Sequence, residues 1–199
     1  MRSIRNNNLT DSSQLGINGT GAFPFVNRKD SPKIVGDFSS VALGTLGVIT
    51  KRLYLIPFQT PKKIILSNLR VNVTTVSSGT SCEIGIYNNI LLSNGNDNPN
   101  KLIASVTNVP LTTTGDKTSP INFTFNEDIL YWIGIICLGA PTLRALTVSS
   151  MAPTMGRVSA SNNANTHLYK NLTVSNLPTV APTDLTISTG SIPAIYLVE

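Results

Sequence analysis

The chain has 199 residues, 41% of them hydrophobic and 13% charged, with a formal charge of +5, two Cys and one His. That length suits one domain of ordinary size plus an extension and excludes two full domains, while one His and two Cys are too few for a metal site built from those ligands. With so few charges the polar surface must be made of Ser, Thr and Asn, a composition that favours strands and turns, and no window shows the 3.6-residue period of a long helix.

The positive charge is concentrated early. Residues 1–70 hold ten Lys and Arg against three Asp, whereas residues 71–199 hold five against seven acids. This asymmetry predicts an acidic partner for the basic end. The basic residues are interleaved with Pro, Phe, Ile and Leu and come with no nucleic-acid motif, so nucleic acid is not the expected partner. Residues 1–8 lack the apolar centre of a signal peptide, and no stretch approaches ~20 apolar residues, so neither export nor a membrane span is expected.

Residues 1–48 are rich in Asn, Gly and Ser, with apolar islands at Phe23–Val26, Ile34–Val35 and Val41–Leu43. Such a segment has no core of its own. It reads as an extended basic N-terminal arm held by a neighbouring copy or a larger assembly, with Arg2, Arg5, Phe23, Phe25, Arg28, Lys29 and Lys33 as its candidate partner-binding residues.

Residues 49–199 read as the folded domain. Leu53–Phe58 is a short strand whose Pro57 places it at an edge or a strand end. Ile65, Leu69, Val71 and Val73 alternate with Asn68, Arg70 and Asn72, a half-buried strand ended by the Ser77–Thr80 turn. A strand at Cys82–Tyr87, an Asn-rich loop at Asn94–Asn100 and a strand at Leu102–Val106 follow. The chain then turns over Thr112–Pro120 and resumes with Ile121, Phe123 and Phe125 at alternate positions. Later strands are expected at 143–148, 168–174, 185–188 and 192–198, with a long connection over 149–167 in which Met151 and Met155 fill a local gap or pack on a neighbour. Many short strands between turn signals predict an all-β antiparallel sandwich, with jelly-roll-like topology preferred. Ile84, Ile86, Phe123, Phe125, Trp132 and Ile136 are its expected core residues.

Residues 130–138, Leu-Tyr-Trp-Ile-Gly-Ile-Ile-Cys-Leu, carry the only Trp and are apolar at every position but Gly134. Leu130, Trp132, Ile136 and Leu138 should point one way and Tyr131, Ile133, Ile135 and Cys137 the other. A sheet with one wet face alternates apolar and polar, so this strand must be covered on both sides. The Trp132 face is expected to meet the partner sheet, and the other face long C-terminal connections or a symmetry mate. Cys82 and Cys137 both fall in strands and read as reduced core thiols, with a bridge between neighbouring strands left open.

Little chemistry is visible. His167 sits in the polar connection with no Gly-x-Ser-x-Gly elbow to anchor a triad, and is expected to be exposed. Glu127 and Asp128 are adjacent and would diverge in an extended chain, unlike a paired acid and base. The Asn94–Asn100 loop has one carboxylate and no distal bidentate Glu, so it is turn chemistry and not a calcium loop. No catalytic activity, cofactor or metal is expected.

Glu83-Ile-Gly-Ile-Tyr87, an Asn/Gly loop with a Pro, Lys101-Leu-Ile-Ala104, Thr112-Thr-Thr-Gly115, Ile129-Leu-Tyr-Trp-Ile-Gly-Ile135 and Gly139-Ala-Pro-Thr-Leu-Arg144 occur in that order. Over residues 50–148 the pattern resembles a β-sandwich module of tailed-bacteriophage virion proteins. Glu83 departs from it where a basic or polar residue is usual, and Asp128 where a turn glycine precedes Leu-Tyr-Trp. The resemblance implies a non-enzymatic virion component, either a capsid decoration (cement) protein or a short tail-fibre or baseplate receptor-binding module. An ordered basic arm on one domain, without a shaft or repeats, favours decoration: the arm lying on other virion proteins such as the capsid subunits, and the sandwich forming a knob, one copy of a homotrimer. A carbohydrate-binding sandwich is the alternative of another class, recognising a host surface glycan in a groove lined by Tyr54, Tyr87 or Tyr169.

Overall fold

The computed structural model describes residues 33–35, 43–147, 155 and 165–199. These residues form thirteen strands and no helix: β1 (Lys33–Ile34), β2 (Gly44–Gly47), β3 (Arg52–Phe58), β4 (Ile64–Thr75), β5 (Ser81–Leu91), β6 (Asp97–Pro110), β7 (Gly115–Phe125), β8 (Tyr131–Leu138), β9 (Thr142–Leu146), β10 (His167–Asn171), β11 (Thr186–Ser188), β12 (Ile192–Pro193) and β13 (Tyr196–Val198). All pairs are antiparallel. One sheet has the order β11-β10-β3-β8-β5-β6; the other has the order β1-β13-β4-β9-β12, with β7 added on β4 and β2 on β9. The chain is an all-β sandwich, and the β6–β7 connection carries it from the first sheet into the second.

β8 lies between β3 and β5, in the interior of the six-stranded sheet. Its Tyr131, Ile133, Ile135 and Cys137 enter the core between the sheets, together with Tyr54, Ile56, Ile84 and Ile86 from its neighbours and Leu69, Val71, Val73 and Leu143 from the opposite sheet. Its Trp132 and Ile136 enter a second core with Leu53, Leu55, Tyr87, Leu168, Leu177 and Ala181. Both faces are therefore buried, but the expected assignment of the faces is reversed: Trp132 looks away from the partner sheet. The reason is the space left by Gly85 and Gly134, which oppose each other across β5 and β8. A Cβ on Gly134 would lie 2.8 Å from Cε2 of Tyr87, and one on Gly85 2.6 Å from both Leu102 and Leu177.

The second core is roofed by residues 172–185, a strap lying across the outer face. Leu177 N–H donates to Oε2 of Glu83 at 2.8 Å, and the Tyr87 hydroxyl donates to the Pro178 carbonyl at 2.9 Å. Backbone bonds from Leu102 N–H to the Thr179 carbonyl (2.9 Å) and from Ala181 N–H to the Asn100 carbonyl (2.7 Å) tie the strap along β6. At its other end Leu172 N–H bonds the Lys51 carbonyl (2.9 Å) and Lys51 Nζ the Thr173 carbonyl (3.0 Å). The strap is thus anchored along the β6 edge of the sheet and at the entry to β3.

Several local expectations are corrected. Ile65 is 60% exposed while Ile64 and Leu66 are buried: at the register shift between Leu66 and Asn68, where β7 carries one residue more than β4, the facing of β4 reverses before Leu69, Val71 and Val73. β3 is internal, so of the two placements expected for Pro57 the strand end is the one found: it lies beyond β10, which reaches only Arg52–Leu55. The Asn94–Asn100 loop is shorter than expected, since Asp97, Asn98 and Pro99 already pair with Leu91, Ile90 and Asn89. Likewise Gly115–Pro120 is strand, not turn, and only 111–114 separate β6 from β7. The last expected strand is split: β12 pairs with β9, β13 with β4.

The sandwich also takes two strands from within residues 1–48. β1 pairs with β13 and β2 with β9, and Val35 and Val48 are buried in the inter-sheet core. These segments are held by their own chain, not by another surface.

Gly134→Ala should destabilise the fold by about 1–3 kcal/mol, since the added methyl meets a fully buried ring that cannot retreat. Gly47→Ala, with open space around the new Cβ, should be near neutral in the same urea titration. Glu83→Ala removes the charged acceptor of the Leu177 N–H and should cost about 1.5–3 kcal/mol, read by the same titration with Trp132 fluorescence reporting the environment under the strap.

Candidate functional site

Of the residues expected to bind a partner, Arg2, Arg5, Phe23, Phe25, Arg28 and Lys29 lie outside the described residues. Lys33 opens β1, opposite Leu197 of β13. Of the expected core residues, Ile84, Ile86, Phe125 and Ile136 are fully buried and Trp132 is 2% exposed; Phe123 is partly buried against the inter-sheet core. Phe123, Phe125 and Tyr131 form an edge-to-face cluster with centroids 4.9–5.7 Å apart, extended by Phe58 on Phe125. Trp132 satisfies its indole N–H on Oδ1 of Asn89 at 2.9 Å.

His167 departs most from expectation. It is 2% exposed, at the start of β10, and shares the inter-sheet face with Tyr54, its ring centroid 5.6 Å away. The sequence signal was the alternation His167-Leu168-Tyr169, a strand pattern that reads as polar only if His is counted as a surface residue. Oγ1 of Thr166 stands 2.9 Å from His167 Nδ1, 2.8 Å from the Gly190 carbonyl and 3.1 Å from the Ser188 carbonyl. Carbonyls only accept, so the single Thr166 hydroxyl proton is directed at them, and Nδ1 of His167 must be the donor to Oγ1. A general base would need the opposite polarity. The pair is a fastening between β10 and the 188–190 segment, not a nucleophile and its base.

Burial, and then the nearby Arg52 guanidinium, push the His167 pKa down to about 4, so the ring is neutral at neutral pH. Arg52 itself lies over the Tyr169 ring, 4.4 Å from its centroid, and donates from Nε to Asn171 Oδ1 at 2.8 Å. Lys170 bonds Asp184 of the strap. With Lys51 on Thr173, the basic residues at this margin bind the chain's own strap and outer strands. Arg70 is also engaged, with Asp116 at 3.3 Å and Thr118 at 2.9 Å.

The tyrosine groove expected of a carbohydrate-binding sandwich is not formed. Tyr87 is wholly enclosed under the strap and Tyr54 is in the inter-sheet core, leaving Tyr169 alone partly exposed, beneath Arg52. At the register shift between β4 and β7 lies a shallow depression of about 510 Å³ lined by Leu66, Ser67, Pro120, Ile121 and Asn122, with no charged group in its wall. Among the described residues no three His, Cys, Asp or Glu side chains come together as metal ligands. Glu127 and Asp128 form the turn before β8, with Asp128 at φ 56° and its N–H on the Thr60 carbonyl. Met155 is partly buried against the second core, the gap-filling use of Met; Met151 lies outside the described residues.

No protein-family model matches the chain, and no curated protein matches it.

A neutral buried His makes stability fall with acid. The unfolded chain takes up the His proton near pH 6.5 and the folded one only near pH 4, so stability is full above pH 6.5 and declines between these values, by about 3 kcal/mol at pH 4. His167→Gln should flatten this part of the profile. It is the only His in the chain, so urea titrations from pH 7 to pH 4.5 isolate it; an unchanged slope in the variant would assign the acid sensitivity elsewhere.

Proposed function

We propose that the chain is a non-enzymatic structural protein of a tailed-phage virion, a capsid decoration or cement protein that docks through its basic N-terminal segment and displays the sandwich as a knob, one copy of a homotrimer. The observation that carries this reading is where the chain enters the fold. β1 is the outermost strand of its sheet, so the four basic residues and two phenylalanines of the candidate arm within residues 1–32 precede an edge of the sandwich in the sequence. Of the basic residues nearer the domain, Lys51, Arg52 and Arg70 have partners within the chain.

Turn geometry supports the same reading. In the pattern that resembles the phage module, Gly115 follows the threonines of a turn and Asp128 stands where a glycine is usual. Their φ values are 91° and 56°, in the left-handed region where glycine is least strained. The sandwich is read as jelly-roll-like because β7 leaves β6 in one sheet to pair with β4 in the other. The rigid, doubly packed sheet suits a displayed knob, and the inward-facing tyrosines argue against a glycan groove.

Removal of residues 2–32 tests the proposal. A larger deletion to residue 48 would also remove Val35, Val48, β1 and β2 from the core. The shortened chain should keep its unfolding midpoint but no longer co-sediment with capsids lacking the protein, and attachment of the full chain should weaken as salt rises. Attachment that survives the deletion would defeat the docking role of the arm. Density at the tail tip in images of particles with and without the protein would move the reading to a tail-fibre or baseplate module.

A further inference from the structure

Cys82 and Cys137 are free thiols, directly opposite each other on β5 and β8 and buried in the inter-sheet core. In an antiparallel pair, opposite residues alternate between those that exchange backbone hydrogen bonds and those that do not, and side chains are closer in the second kind. Two bonds outside the β5–β8 ladder settle which kind this is. The Cys137 carbonyl accepts from Lys51 N–H at 2.9 Å, so the polar groups of Cys137 point to the β3 side, away from β5. The Thr80 carbonyl accepts from Leu111 N–H at 2.9 Å on the β6 side, and Cys82, two residues on, points its own polar groups the same way, away from β8. Cys82 and Cys137 are therefore a non-hydrogen-bonded pair, with Cα atoms about 4.5 Å apart. That separation falls within the range a disulfide spans.

We infer that Cys82 and Cys137 are a latent cross-strand staple, an oxidation site at which the folded domain closes a disulfide between two adjacent inner strands, β5 and β8, without rearranging its backbone. The reaction needs an oxidant, here a low-molecular-weight disulfide. One thiol loses its proton and attacks the reagent, forming a mixed disulfide and releasing one reagent thiolate. The second thiol, deprotonated in turn, attacks the protein sulfur of the mixed disulfide and releases the other reagent thiolate. The two protein thiols are oxidised, the reagent is reduced to two thiols, and these take up the two protons. The contact with Cys137, and then burial, push the Cys82 thiol up, so closure accelerates at mildly alkaline pH. Both residues sit one pair inside the ladder end, Ser81–Leu138, where Leu138 is exposed, so opening of that end admits the reagent.

The bond would enclose the segment carrying β6 and β7, one strand from each sheet. The full chain, folded at pH 8.5, is treated with hydroxyethyl disulfide or with dithiothreitol and compared. Oxidation should remove both titratable thiols, lower the intact mass by two hydrogens and give one peptide pair joined through residues 82 and 137. The protein should remain free of intermolecular disulfides, and its unfolding midpoint should rise on the order of 5–10 °C. Cys82→Ala and Cys137→Ala should each lose this oxidation-dependent rise. Stable adducts of the reagent without a bridge, intermolecular disulfides, a bridge that lowers the midpoint, or thiols that react only after denaturant is added would each overturn the inference.

Discussion

The burial of β8 on both faces is the constraint on which the rest of the molecule depends. Antiparallel sheets ordinarily leave one face to water, and a sandwich of two sheets covers only the inner face of each. Here Leu53, Leu55, Tyr87, Trp132, Ile136 and Leu168 form an apolar outer face as well. At about 1.5–3 kcal/mol for each large side chain withdrawn from water, exposing this face would forfeit on the order of 10 kcal/mol, comparable to the net stability of an ordinary domain. The strap over residues 172–185 is therefore part of the fold, not a connection between strands.

The polar groups enclosed by this arrangement are matched to it. The Tyr87 hydroxyl, Trp132 indole N–H and Glu83 carboxylate find partners under or beside the strap, and Thr166 and His167 fasten the far margin of the sheet. Buried polar groups left unpaired would cost about 1–3 kcal/mol each, so these bonds fix where the strap can lie. The same matching sets the polarity at the His167–Thr166 pair: the Thr166 hydroxyl already directs its proton at two carbonyls. A domain stiffened in this way is suited to presenting a surface, and the proposed virion role asks little more of it.

The two-sided strand could be read from residues 130–138 because period-two alternation assigns each side chain to a face without knowledge of the partner. Which face met the other sheet could not, since that choice depends on Gly85 and Gly134 meeting across β5 and β8, a contact between residues 49 positions apart. Ile65 was misplaced for a related reason: a bulge changes the parity of a strand while leaving its composition unchanged. His167 was hidden by its setting in an Asn- and Ser-rich connection, although Leu168 and Tyr169 beside it carried the strand signal. β1 and β2 are two and four residues long, too short for periodicity to distinguish them from an arm.

Native-state hydrogen exchange measured residue by residue tests the central claim most directly. If the strap is part of the fold, the amides of Leu177 and Ala181, bonded to Glu83 and Asn100, should exchange with the same opening free energy as those of Gly134 and Ile135 in β8, through global unfolding. Rapid exchange at Leu177 and Ala181 while β8 stays protected would contradict it, because the Trp132 face would then hold without its cover.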